Sequence, residues 1–185
     1  MDLKEHIVRL GTEAILRYRT VSSVAQDNEI PEVFLGSFAA PRLHDALACP
    51  VRVEELYSAI AINQKVAMTR ELIDLFGGHR ADLAVFPRES PWVIIEFKIF
   101  DERCPPATVA GDVQKIKNLA DRCKVQGYVG VMICETPKVK LKSRIERLKN
   151  ALGGEVYTGQ IQKSANLKWR WCFGCLFLPG LTRVD

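Results

Sequence analysis

The sequence predicts an α/β domain in which helices flank a mixed central sheet. Three observations carry that expectation. Apolar residues recur at helical spacing in two stretches: Ile7, Leu10, Ala14 and Leu16 near the start, then Val109, Val113, Ile116, Ala120 and Cys123 past the middle. Two β-branched runs, residues 80–86 and 92–99, flank a short loop with a proline at each end, a hairpin signature. The order of elements is then helix, strand, strand–turn–strand, helix, strand, the central arrangement of an α/β sandwich.

Composition sets the bounds. The 185 residues, 48% hydrophobic and 26% charged, suit a single domain with an ample core. A net charge of +4 permits a polyanionic partner without demonstrating one. Six scattered cysteines with no secretory signal before them read as reduced thiols in a cytoplasmic protein. No apolar run approaches membrane-spanning length. Residues 1–185 are read as one domain, since no internal repeat, low-complexity tract or linker interrupts them.

Taken in order, residues 2–19 form an amphipathic helix. Pro31 opens a second, with Glu32 in its first turn, where the helix dipole favours negative charge. Gly36 and Pro41 predict a kink or break near Pro41. Residues 49–57 read as a strand with Val51 and Val53 pointing inward. Residues 64–76 read as a helix stopped by Gly77-Gly78. After the hairpin come a helix over 105–124, a strand over 128–134 and a helix over 140–152 ended by Gly153-Gly154. Residues 156–161 and 167–178 read as two further strands.

The hairpin holds the chemistry. With Pro87 to Pro91 as the loop, Phe86 faces Trp92 and Asp82 faces Glu96. Alternation places Asp82, Ala84 and Phe86 on one face with Trp92, Ile94, Glu96 and Lys98. Leu83, Val85, Val93, Ile95 and Phe97 line the other. Two carboxylates opposed across a near-core sheet repel each other and are costly to bury unless a cation neutralises them. That arrangement calls for a metal.

Glu32, Asp82, Glu96 and Lys98, in that order, resemble the PD-(D/E)xK nuclease-like superfamily. There an acid on an early helix joins an Asp and a Glu-x-Lys carried on a hairpin. The resemblance covers roughly residues 31–135, and Ala81 stands where the namesake proline would fall. It implies a restriction-endonuclease-like αβββαβ core and hydrolysis of phosphodiester bonds with Mg²⁺ or Mn²⁺. Asp82 and Glu96 are the expected metal ligands, with the backbone carbonyl of Phe97 implied as a further oxygen. Mg²⁺ is commonly held by one or two carboxylates while it keeps several waters. Lys98 would orient or deprotonate the attacking water, or stabilise the phosphate. Glu32 completes the set, with Glu29, Glu54 and Glu55 as competing acids.

The expected substrate is nucleic acid, DNA in preference to RNA, with a homodimer left open. A restriction-like endonuclease, a junction or flap resolvase, a repair exonuclease and a non-catalytic nucleic-acid binder all remain compatible with the sequence. Lys115 is a candidate phosphate contact on the helix that follows the hairpin. Lys140, Lys142, Arg144 and Arg147 belong to the densest basic stretch, read either as phosphate contacts or as an ordinary solvated face. The aromatic strand around Trp171 and Phe173 reads as core in preference to a base-stacking surface.

Overall fold

Helices cover both faces of a seven-stranded mixed sheet. This arrangement is seen in a computed structural model that describes residues 2–23, 27–88, 91–166 and 168–179. Helix α1 (Leu3–Ser22) is followed by a 3₁₀ turn (Asp27–Glu29), α2 (Glu32–Leu47) and β1 (Val51–Leu56). Two short helices, α3 (Tyr57–Asn63) and α4 (Arg70–Phe76), precede the hairpin strands β2 (Arg80–Val85) and β3 (Trp92–Phe100). Then come α5 (Pro106–Ala120), β4 (Val125–Cys134) and α6 (Leu141–Leu152). Three strands follow: β5 (Val156–Thr158), β6 (Gln162–Lys163) and β7 (Arg170–Leu178).

The strand order is β1-β2-β3-β4-β7-β5, with β6 also paired to β7. Strands β1, β2 and β3 form an antiparallel meander, β4 runs parallel to β3, and β7 is antiparallel to β4. A parallel β3–β4 pair needs a crossover, and α5 supplies it. Alternation along β3 divides the core in two. Ile94 joins α3, α5 and α6 through Tyr57, Ile60, Val113, Ile116 and Leu148. Ile95 and Phe97 join α1 and α2 through Ile7, Leu10, Leu35 and Leu43.

Two glycines allow close approach. A Cβ on Gly11 would stand 2.4 Å from the Phe173 ring, so α1 lies against β7 only because that atom is missing. A Cβ on Gly130 would come within 2.9 Å of the Phe97 ring, and its absence lets that ring pack over β4.

Several expectations need correction. The helix expected over 64–76 starts only at Arg70: α3 ends before that range, at Asn63, Lys65 adopts a left-handed backbone (φ 60°), and α4 begins where the Thr69 side chain accepts the Leu72 N–H. Tyr57 opens α3 instead of ending β1. Val53 shares the face of Val51 and Leu83 but is 40% exposed, because β1 is an edge strand. Helix α2 continues through Pro41 to Leu47. Burial of Ala39, Ala40 and Leu43 against the sheet offsets the lost hydrogen bond. A third late strand, β6, was not foreseen. Of the five-residue hairpin loop, Glu89 and Ser90 lie outside the described residues, as does Leu167 at the start of the last expected strand. Trp171 and Phe173 are fully buried, so β7 is a core strand and these two aromatics are closed to bases.

Candidate active site

The hairpin register is the one the loop length implies: Val85 pairs with Val93, Ala84 with Ile94 and Leu83 with Ile95. The ladder ends there, while β3 continues to Phe100 against β4. The edge of β3 released by β2 is taken over by side chains. The Phe97 N–H donates to Asp82 Oδ2 at 2.6 Å, and the Ile99 N–H donates to Glu32 Oε1 at 3.1 Å. Two carboxylates, one from β2 and one from the first turn of α2, thus replace backbone carbonyls on alternate residues. The carbonyl of an extended residue points to the same side as its N–H, so the Phe97 carbonyl lies along the edge that Asp82 covers.

Glu96 sits beneath this edge and is 6% exposed. The Tyr57 hydroxyl donates to its Oε1 at 2.5 Å. Tyr57 is itself buried, and burial together with the charges of Glu96, Asp112 and Asp82 pushes its ionisation far up, so it remains a donor. The position follows from the turn at Leu56–Tyr57: β1 passes directly into α3, which brings the phenol under β3.

Lys98 reaches across the opening. Its Nζ lies 2.8 Å from Glu32 Oε2 and 3.5 Å from Asp112 Oδ2. Asp112 is a buried acid on α5, and its other oxygen accepts from Lys115 Nζ at 2.7 Å. Four carboxylates and two ammoniums are thereby drawn from α2, β2, β3 and α5.

Electrostatics follow burial. Desolvation is the first cause raising Glu96 to about 8, with repulsion from Asp82 next; the Tyr57 hydrogen bond works against both. Desolvation likewise raises Asp82 to about 6, resisted by the Phe97 N–H and by Lys98. Burial alone would lower Lys98, but the Glu32 hydrogen bond and the charges of Asp112, Glu32 and Asp82 outweigh it. Its ammonium is therefore held charged, above the ordinary lysine range. Both carboxylates are thus shifted upward by burial first, with neighbouring negative charge adding to it and Lys98 at Asp82 and Lys115 at Glu96 opposing it.

Among the described residues, no three His, Cys, Asp or Glu side chains converge as a preformed metal cage. Asp82 and Glu96 are two hard oxygen donors side by side on adjacent strands. With the Phe97 carbonyl they fit the donor set of an ion that keeps most of its waters.

Sequence reasoning named Asp82, Glu96, Lys98 and Glu32, and all four meet at one place. Lys115 reaches the same cluster through Asp112. The basic stretch divides. Lys140, Lys142 and Arg147 are exposed on α6 or at its start. Arg144 turns inward: it is buried, its Nη2 donates to the carbonyls of Phe100 and Asp101 at 2.8 and 2.6 Å, and its guanidinium stacks on the Phe100 ring. It is a strut for the end of β3, not a phosphate contact. Tyr57 and Asp112 were missed.

No protein-family model, curated protein or solved structure matches the chain. No helix among the described residues is long and apolar enough to cross a membrane.

Proposed function

We propose that this protein is a divalent-metal-dependent nuclease of the PD-(D/E)xK type, acting on DNA in preference to RNA. The observation that carries the reading is the convergence of Asp82, Glu96, Lys98 and Glu32 where β2 and β3 part. The succession α2, β1, β2, β3, α5, β4 with its mixed sheet is consistent with a restriction-endonuclease-like core. Charge supports it further. With all four acids ionised, the four carboxylates against two ammoniums leave two negative charges, which one divalent ion neutralises.

Asp82 and Glu96 would hold Mg²⁺ or Mn²⁺, with the Phe97 carbonyl beside them. The ion, when bound, supplies activation of water and neutralisation of phosphate charge. The chain's own residues do the rest. Tyr57 orients Glu96, and Lys98 presents a fixed positive charge to the reacting phosphate. Because Lys98 is held protonated, the geometry favours charge stabilisation over proton abstraction as its role. Lys115 sits next in line to receive a phosphate oxygen, and exposed Lys140, Lys142 and Arg147 supply salt-sensitive attraction to the flanking backbone.

A second reading has one observation in its favour. The carboxylates of Asp82 and Glu32 already serve β3 as edge caps, as they would in a scaffold that binds nucleic acid without cutting it. It leaves the burial of Glu96 without a purpose. Calorimetric titration separates the two: a nuclease binds Mg²⁺ or Mn²⁺ and loses that binding on Glu96→Ala, whereas a pure binder shows no such dependence. A panel of linear, circular, single-stranded and branched DNA, and RNA, with Mg²⁺ or Mn²⁺ against EDTA, then tells endonuclease from exonuclease or resolvase.

A further inference from the structure

Helix α5 buries one stripe against the sheet: Val109, Val113, Ile116, Leu119 and Ala120, with Asp112 among them. Packing alone would put an apolar side chain at that position. Asp112 is instead 4% exposed, and its Oδ2 has no hydrogen-bond partner among the described residues. A buried carboxylate with an unsatisfied oxygen opposes folding. It persists here pointing at one group, the Lys98 ammonium 3.5 Å away.

Lys98 has two anchors, and they differ. Glu32 approaches from α2, is over a third exposed at its side chain, and divides itself between Lys98 and the Ile99 N–H. Asp112 approaches from α5 on the other face of the sheet, is buried, and is braced from behind by Lys115 at 2.7 Å. A phosphate or cation entering the opening meets Glu32 first. The α5 anchor is the one shielded from that competition.

We propose that Asp112 is a positioning residue: it fixes the Lys98 ammonium in the opening between β2 and β3, so that Glu32 is free to exchange partners when substrate arrives. The inference rests on the nuclease reading for its catalytic consequence, though not for its geometry. Asp112 touches no reacting atom; it acts through Lys98, and Lys115 acts through Asp112.

The test has two parts. The first needs no activity. In metal-free Glu32→Gln protein, where Asp112 is the remaining anchor, the Lys98 NH₃⁺ resonance, assigned through Lys98→Arg, is sharp and slowly exchanging; adding Asp112→Asn broadens it beyond detection, and Asp112→Glu in its place restores it. A Lys98 signal unchanged when Asp112→Asn is added to Glu32→Gln overturns the proposal, whatever the cleavage data show. Should neither variant fold, a crystal structure of the unmutated protein decides, since Lys98 Nζ farther than about 4 Å from both Asp112 oxygens rules the ion pair out. The second part is kinetic. Asp112→Asn lowers kcat by about a hundredfold with KM little changed, the cost of displacing a reacting charge by an ångström. Equal loss in Asp112→Asn and Asp112→Glu, or a change confined to KM, contradicts it. If the unmutated protein cuts nothing, the nuclease reading fails while the resonance still decides the role of Asp112.

Discussion

The Tyr57 hydroxyl donates to Glu96 Oε1 across 2.5 Å, tying the first residue of α3 to the buried acid of β3. This hydrogen bond favours the ionised carboxylate against burial and against Asp82. Groups that orient a metal-ligating carboxylate typically change metal affinity by about ten- to a hundredfold when removed. Tyr57→Phe keeps the ring among Ile60, Phe76 and their neighbours. Its Mg²⁺ affinity by calorimetry is expected to fall by about tenfold or more, with the circular dichroism spectrum unchanged.

Metal binding also reports itself as stability. Glu96 at about 8 and Asp82 at about 6 both lie above the ordinary carboxylate range. The folded protein therefore holds these protons more tightly than the unfolded chain. Between the ordinary range and about 8, stability in EDTA falls as pH rises. Mg²⁺ must displace those protons, so it raises Tm more above about 8 than below about 6. At a concentration a hundred times Kd the gain is about 2.7 kcal/mol. Scanning calorimetry checks this, and Glu96→Gln should remove most of the Mg²⁺ effect.

The two kinds of cation on α6 should separate cleanly. Arg144→Ala strands the carbonyls of Phe100 and Asp101 and is expected to cost about 3 kcal/mol of stability in urea denaturation. It should leave the salt dependence of DNA binding untouched. Replacing Lys142 and Arg147 by Gln does the reverse. Stability hardly moves, while the slope of log K against log salt shrinks by about 0.9 for each phosphate that is no longer neutralised.

The hairpin was legible because two independent constraints agreed. The proline-bounded loop set the register, and the period-2 alternation of apolar residues from Leu83 to Phe97 fixed the faces. Asp82, Glu96 and Lys98 follow from register alone. Glu32 does not: nothing local distinguishes it from Glu29 or Glu54, and only the resemblance selected it. The Ile99 N–H that holds it depends on where β2 leaves β3, which no sequence pattern encodes.

Asp112 and Arg144 were obscured by their charge, although periodicity pointed to both. Asp112 falls in the stripe of Val109, Val113 and Ile116, and Arg144 in that of Leu141, Leu148 and Leu152. A charged residue at a core-facing position is the signal that was available. Tyr57 left no such trace, because its place under Glu96 comes from a strand passing without a loop into a helix.

Whether the opening between β2 and β3 cuts nucleic acid is decided by treating the substrate panel with the wild-type protein and with Lys98→Met, purified identically. Mg²⁺-dependent hydrolysis by the wild type is expected, abolished by EDTA and at least about a hundredfold slower in Lys98→Met. Equal cutting by both proteins, or cutting that persists in EDTA, would contradict a metal-dependent nuclease at this site.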